Sequence, residues 1–315
     1  MTAFGATSTT DEVLAGADLS GRTALVTGAS AGIGVETSRA LAAHGARVIM
    51  AVRDVAKGEE KAQPIRDAGG DVELREVDLA DLGSIRRFTD GVLADHDRID
   101  LLLANAGVMA TPFWRTKDGF EMQFGTNHLG HFLLVNRLLR LVVAAAPSRV
   151  VVLSSSGHRF SDVDLDDPGF ERTEYDPWLA YGRSKTANAL FALELDRRHS
   201  GQGVRAASVH PGAVPTELGR DLTEDAMNAL ISRNTNTGET FWKSIEQGAA
   251  TSVWAAVTAD GDEIGGRFLE DCHVAVVGTD QQRREGVHAW AQDPETAKRL
   301  WAASEELVGE SFPAP

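Results

Sequence analysis

A tyrosine and a lysine stand four residues apart in Tyr181-Gly182-Arg183-Ser184-Lys185. The run from Trp178 to Arg198 reads as one helix, so both side chains lie on one face, a turn apart. A phenol is a poor acid or base near neutral pH. A neighbouring ammonium favours its ionised form and lowers its pKa. Such a pair could move a proton to or from an oxygen atom. The spacing alone also suits a purely structural role, and what decides between the two is the company the pair keeps. Serines cluster at Ser154-Ser155-Ser156, after the apolar run Val150–Leu153, where a hydroxyl could orient a substrate oxygen or simply close a turn.

A second constellation suits binding. Thr27-Gly28-Ala29-Ser30-Ala31-Gly32-Ile33-Gly34 lies where the apolar run Thr23–Thr27 gives way to a helical pattern from about Ile33 to His44. Glycines there allow a tight turn, close approach to a pyrophosphate and close helix–strand packing. The helix N-terminus then offers free N–H groups and a positive dipole end to an anion. The strand-to-helix context is what turns a glycine triplet into a dinucleotide-binding signal.

Both constellations need a scaffold. Short apolar runs recur at Arg47–Val52, Val72–Val77, Asp100–Ala104, Val150–Leu153, Val204–Val209 and Arg267–Leu269. Helical patterns separate them, one beginning after the N-cap candidate Asp54, one at Asp81 and one at about Gln247, and a long one ending before Pro147. That alternation predicts an α/β fold: a Rossmann-type, doubly wound, mainly parallel sheet with helices on both faces. Such sheets bind ligands at the carboxyl ends of their strands. A single domain is expected over residues 19–315, after a polar leader at 1–18. Two segments break the rhythm. Residues 157–177 read as a loop insertion rich in Asp, and residues 215–244 sit where a substrate lid is expected.

Composition narrows the partners. The chain has 315 residues with 31 basic and 46 acidic side chains, a net charge of −15. That argues against nucleic acid or an anionic membrane as the main partner. Cys272 is the only cysteine, so no internal disulfide forms. Cys272-His273 has too few companions for a metal site, and none is expected. No secretory signal is visible, and no apolar run approaches the roughly 18 residues of a membrane helix. A cytoplasmic protein is expected.

The glycine spacing, together with Tyr181-x-x-x-Lys185, resembles the short-chain dehydrogenase/reductase family from about Leu19 to Leu269. The resemblance implies a set of roles. Tyr181 acts as acid or base, Lys185 lowers its pKa and holds the nicotinamide ribose, and Ser155 orients the substrate oxygen, a one-residue slip in the serine register remaining open. Asn127 holds a relay water linking the lysine to solvent. Cofactor contacts are expected from Gly28, Ser30, Ala31, Gly32, Ile33 and Gly34. Further contacts are expected from Asp78-Leu79, from Asn105-Ala106-Gly107, and from Pro211, Gly212, Val214 and Thr216. Ala104 replaces the Asn that relatives carry before Asn105. Val52 stands where NAD-dependent relatives carry Asp, and Arg53 follows it, so NADP(H) is expected ahead of NAD(H).

Ala51-Val52-Arg53-Asp54, Thr126-Asn127-His128-Leu129-Gly130-His131-Phe132, Ser154-Ser155-Ser156-Gly157-His158 and Val209-His210-Pro211-Gly212 resemble the retinol dehydrogenase-like branch. The branch implies a hydrophobic carbonyl or alcohol as substrate and a homodimer or homotetramer, often assembled through the long helices. The apolar run Leu138–Ala146 suits such an interface or the core. Reduction of a C=C bond and a non-catalytic NADP(H)-sensing role are the alternatives; retention of Ser155, Tyr181 and Lys185 together speaks against the sensor. His128 and His131 read as packing residues.

Overall fold

The apolar runs become strands of one eight-stranded sheet, in the order β3-β2-β1-β4-β5-β6-β7-β8. They are β1 (Thr23–Thr27), β2 (Arg47–Val52), β3 (Val72–Glu76), β4 (Leu101–Ala104), β5 (Ser148–Leu153), β6 (Val204–His210), β7 (Phe268–Glu270) and β8 (His273–Val274). Neighbours from β3 to β7 pair in parallel, and only β8 runs antiparallel, against β7. The order reverses between β1 and β4, which opens a crevice at their carboxyl ends. The computed structural model describes residues 4–219, 222, 224, 242–278 and 285–314.

Helices cover both faces, and the two-residue side-chain period of the strands divides the core accordingly. Ala24 and Val26 face one layer, with Leu41 of α2 (Gly32–Ala43) and Ile65 of α3 (Val55–Asp67). Leu25 faces the other, with Ile85 of α4 (Leu82–Asp95), Leu134 of α5 (Gly130–Ala144) and Leu190 of α6 (Pro177–His199). The expected fold is therefore the observed one. Local chemistry sets the helix starts. Asp54 accepts the Lys57 N–H at 3.0 Å, and Asp81 accepts that of Ser84 at 3.1 Å. Asp176 accepts from both Trp178 and Leu179 at 2.8 Å, with Pro177 preset for the first helical position.

Three features depart from the sequence reading. The polar leader at residues 1–18 packs onto the domain through Phe4 and the short helix Thr10–Val13. Val13 and Leu14 are buried with the α2 layer, and the Thr10 hydroxyl donates to Glu36. Its large apolar positions, Phe4, Val13 and Leu14 among them, are too scattered to stand out among polar neighbours. A turn of π-helix, Phe124–Leu129, precedes α5. Finally, the helix Pro294–Val308 closes the α5/α6 face, where Trp301 meets Phe132 and Phe191 at ring-centroid distances of 5.1 and 5.8 Å. Leu138, Leu141 and Val142 of α5 are likewise buried within the chain, while Leu139 and Val143 are half-buried and Arg140 and Ala144 are exposed. The expected lid at 215–244 lies mostly outside the described residues. Among the described residues, no helix is long and apolar enough to cross a membrane.

Trp301 is 2% exposed and the Arg198 guanidinium lies 4.1 Å from the centre of its ring. Trp301→Ala is expected to lower unfolding stability by about 3–5 kcal/mol, read from denaturant melts.

Candidate active site

The crevice begins at the β1–α2 turn. Gly28 has φ +68°, and a Cβ there would lie 2.8 Å from the Ala106 Cα. A Cβ on Gly34 would lie 2.4 Å from the Gly28 carbonyl oxygen. Only glycine lets the turn close this tightly. The Thr27 hydroxyl oxygen accepts from Asn105 N at 2.9 Å and Ala106 N at 3.0 Å, and the Asn105 amide donates to Thr27 O at 2.8 Å. Asn105-Ala106-Gly107, leaving β4, is thus bolted to the glycine turn. Ala31 precedes α2 and makes no side-chain cap, so no side chain of the N-cap takes up the first N–H groups. Ser30, Ala31, Gly32 and Ile33 are half-buried at the open edge, and Thr216 lies against Gly32.

The remaining expected cofactor contacts ring the same crevice. Arg53 is exposed immediately past buried Val52, and among the described residues it makes no ion pair. Asp54, beside it, is occupied in capping α3. Lys57 pairs with Glu217, joining the corner after β2 to the Thr216 loop. Asp78 accepts from Ala80 N at 2.9 Å, while Leu79 is buried beneath α5, its carbonyl against Gly130. Pro211, Gly212 and Val214 are half-buried after β6. A cradle too tight for a Cβ and an uncapped helix start suit the residues to the pyrophosphate of a dinucleotide.

At the neighbouring strand end, α6 lays Tyr181, 3% exposed, against Gly157, where a Cβ would come within 2.6 Å of the Tyr181 ring. Ser155 lies beside Tyr181, near enough to oppose the effect of burial on the phenol, and accepts from Gly157 N at 3.0 Å. Ser154 instead donates to Lys185 O at 2.7 Å, so the serine facing the phenol is Ser155. Lys185 Nζ donates to Leu153 O at 3.1 Å and lies 5.7 Å from the Tyr181 ring centre. One expectation changes here. Burial pushes the Tyr181 phenol up to about 12, with Ser155 opposing it. Burial also brings the Lys185 ammonium down to about 8. Desolvation moves both groups toward their neutral forms and outweighs the lowering expected from the Lys185 charge.

Asn127 is fully buried in the π-helical turn. Its side chain accepts from Val108 N at 2.8 Å and donates to Val108 O and Ser184 Oγ, each at 2.9 Å. Both amide hydrogens are engaged by protein, so a relay water at Asn127 would have to donate to one of its oxygens. His128 bonds Ser304 at 2.8 Å and packs between Phe124, Phe132 and Phe191.

An apolar wall surrounds Tyr181: Ala110, Trp178, Met109, Phe160 and Leu222. Ala110 has φ +46° and donates its N–H to Gln123 at 2.8 Å. Gln123 in turn donates to Tyr175 Oη at 3.0 Å and Pro177 O at 2.9 Å, linking this wall to the start of α6. Sequence reasoning missed Gln123 and the wall, since nothing in their spacing marks them. The Asp-rich insertion serves its own backbone: Asp167 accepts from Glu171, Arg172 and Thr173, and Arg183 donates to Asp167 O at 2.8 Å. Among the described residues, no group of three or more His, Cys, Asp or Glu side chains could hold a metal ion.

Comparison with known proteins follows the same outline. A family model described as short chain dehydrogenase matches residues 22–227. Retinol dehydrogenase 13 of Homo sapiens is 41% identical over 303 residues, 95% of this chain and 88% of that protein. A solved structure of an uncharacterized protein from Mycobacterium paratuberculosis is 39% identical, with a TM-score of 0.71 over 94% of this chain and 96% of the other. The RhlG/NADP active-site complex of Pseudomonas aeruginosa is 25% identical, with a TM-score of 0.63 over 80% of this chain and 95% of the other.

Proposed function

Because the chain belongs to the short-chain dehydrogenase family, as a retinol dehydrogenase-like member, we propose that it interconverts a hydrophobic alcohol and its ketone or aldehyde using NADP(H). The observation that carries this reading is the gathering of Ser155, Tyr181 and Lys185 at one strand end beside the glycine cradle, with the Tyr181 ring and Ser155 Oγ both against Gly157. Bound NADPH supplies the hydride, or NADP+ accepts it.

The chain's own residues do the rest. Ser155 orients the substrate oxygen, and Tyr181, held neutral by burial, donates its phenolic proton to that oxygen during reduction. Lys185, while charged, stabilises the phenolate left behind. The apolar wall of Ala110, Met109, Phe160 and Trp178 favours a hydrophobic substrate and keeps water from the reacting oxygen. The exposed cation of Arg53, with no acid at Val52, supports NADP(H) over NAD(H). A homodimer or homotetramer is the expected assembly, and the half-buried Leu139 and Val143 of α5 are available to such an interface.

The test is NADPH consumption on a panel of apolar aldehydes and ketones. Tyr181→Phe is expected to lower turnover about 10²–10⁴-fold, with the Kd for NADPH within about twofold by fluorescence titration. Substantial residual turnover would remove Tyr181 from its role. Arg53→Ala is expected to cut the preference for NADPH over NADH about tenfold in kcat/KM, through loss of a charge-assisted phosphate contact. Lys185 is charged below its pKa of about 8 and neutral above it. Carbonyl reduction is therefore expected to slow as pH rises through about 8, and a rate unchanged to pH 10 would contradict the assignment.

A further inference from the structure

We propose that His131 is a positioning residue that links the dinucleotide cradle to the Asn127 turn through one fixed tautomer of its ring. The proposal rests on the dehydrogenase reading above. His131 is 0% exposed, deep under the crevice, and nothing in the mechanism uses it. Its Nε2 lies 2.9 Å from the Thr27 hydroxyl and its Nδ1 lies 2.9 Å from Asn127 O.

Hydrogen counting assigns the tautomer. Both acceptor sites of the Thr27 hydroxyl oxygen are taken, by Asn105 N and Ala106 N. Its single hydrogen must therefore be donated. The choices are His131 Nε2 at 2.9 Å and Leu103 O at a long 3.5 Å. The shorter bond makes Nε2 the acceptor, so Nδ1 carries the ring hydrogen and donates it to Asn127 O. Burial, opposed by the Asn127 bond and helped to a lesser degree by the nearby Lys185 cation, holds this imidazole neutral by lowering its pKa to about 4.

What the ring joins matters for the site. Thr27 pins the start of the β4 exit loop at Asn105 and Ala106, and Asn127 pins its end at Val108. Gly107 lies between those pins, where a Cβ would stand 3.1 Å from Asn127 Oδ1 and 3.5 Å from Lys185 Nζ. His131 ties one pin to the other. The stretch of backbone between cofactor cradle and lysine is thereby held as a single unit, and the order at Thr27 is passed to Asn127 and Gly107.

Three variants test this, each assayed for kcat, KM, NADPH affinity and melting temperature. His131→Phe keeps a ring and loses both bonds, and is expected to weaken NADPH binding about tenfold and lower kcat about tenfold. His131→Asn keeps a donor near the Nδ1 position and is expected to recover kcat while NADPH affinity stays weak. His131→Gln places an acceptor near the Nε2 position and is expected to recover NADPH affinity while kcat stays low. Equal losses in the Asn and Gln variants would overturn the proposal. So would a His131→Phe protein with a lowered melting temperature but unchanged kcat and NADPH affinity at 25 °C. Should His131→Phe fail to fold, the split between the other two decides the matter. If the unmodified chain turns over no carbonyl, the dehydrogenase reading fails on its own, and an NADPH affinity restored by Gln but not by Asn still decides for His131.

Discussion

Burying an ammonium without a carboxylate is costly, and Lys185 does so: it is 3% exposed, with Leu153 O as its hydrogen-bond acceptor. The carbonyl is available because β5 ends there, and the lysine reaches it because α6 lies close over that strand end. The same closeness requires Gly157 under the Tyr181 ring and lets Ser154 grip the Lys185 carbonyl. One constraint therefore orders the serine cluster. Ser154 holds the helix, and Ser155 is left facing the phenol. Desolvation then acts on both titrating groups and favours a phenol that keeps its proton.

The crevice is organised by a different economy of atoms. Thr27 satisfies the chain leaving β4, and Gly28 and Gly34 let that chain come within contact distance. Asp residues that might have crowded the site are engaged elsewhere: Asp54 and Asp176 start helices, and Asp167 gathers the insertion. Past the second strand Arg53 is exposed and, among the described residues, makes no ion pair. Charge at the crevice mouth is thus decided as much by which acids are occupied as by which base is free.

Much of this was legible in the sequence, because it depends on local chemistry. Apolar runs of strand length alternating with helical periods dictate a parallel sheet covered on both faces, and glycines between strand and helix mark where it opens. Asp54 announced a helix start, and Tyr181 and Lys185 had to share a face once Trp178–Arg198 formed a helix. The two histidines after Asn127 also read as interior residues, and both are buried. Short-range spacing controls all of these, so no knowledge of distant partners was needed.

Tertiary structure decided whatever depends on residues far apart in the chain. No spacing links Gln123 to Ala110 and Tyr175, Trp301 to Phe132, or His131 to Thr27; those partners meet only after the sheet has formed. The direction of the Tyr181 pKa was another such matter. From sequence, a lysine one turn away lowers it. In the folded chain burial outweighs that charge, because depth is a property of the assembled layers and four residues of helix carry no record of it. The serine register had the same character, for only the packing of α6 on β5 tells Ser154 from Ser155.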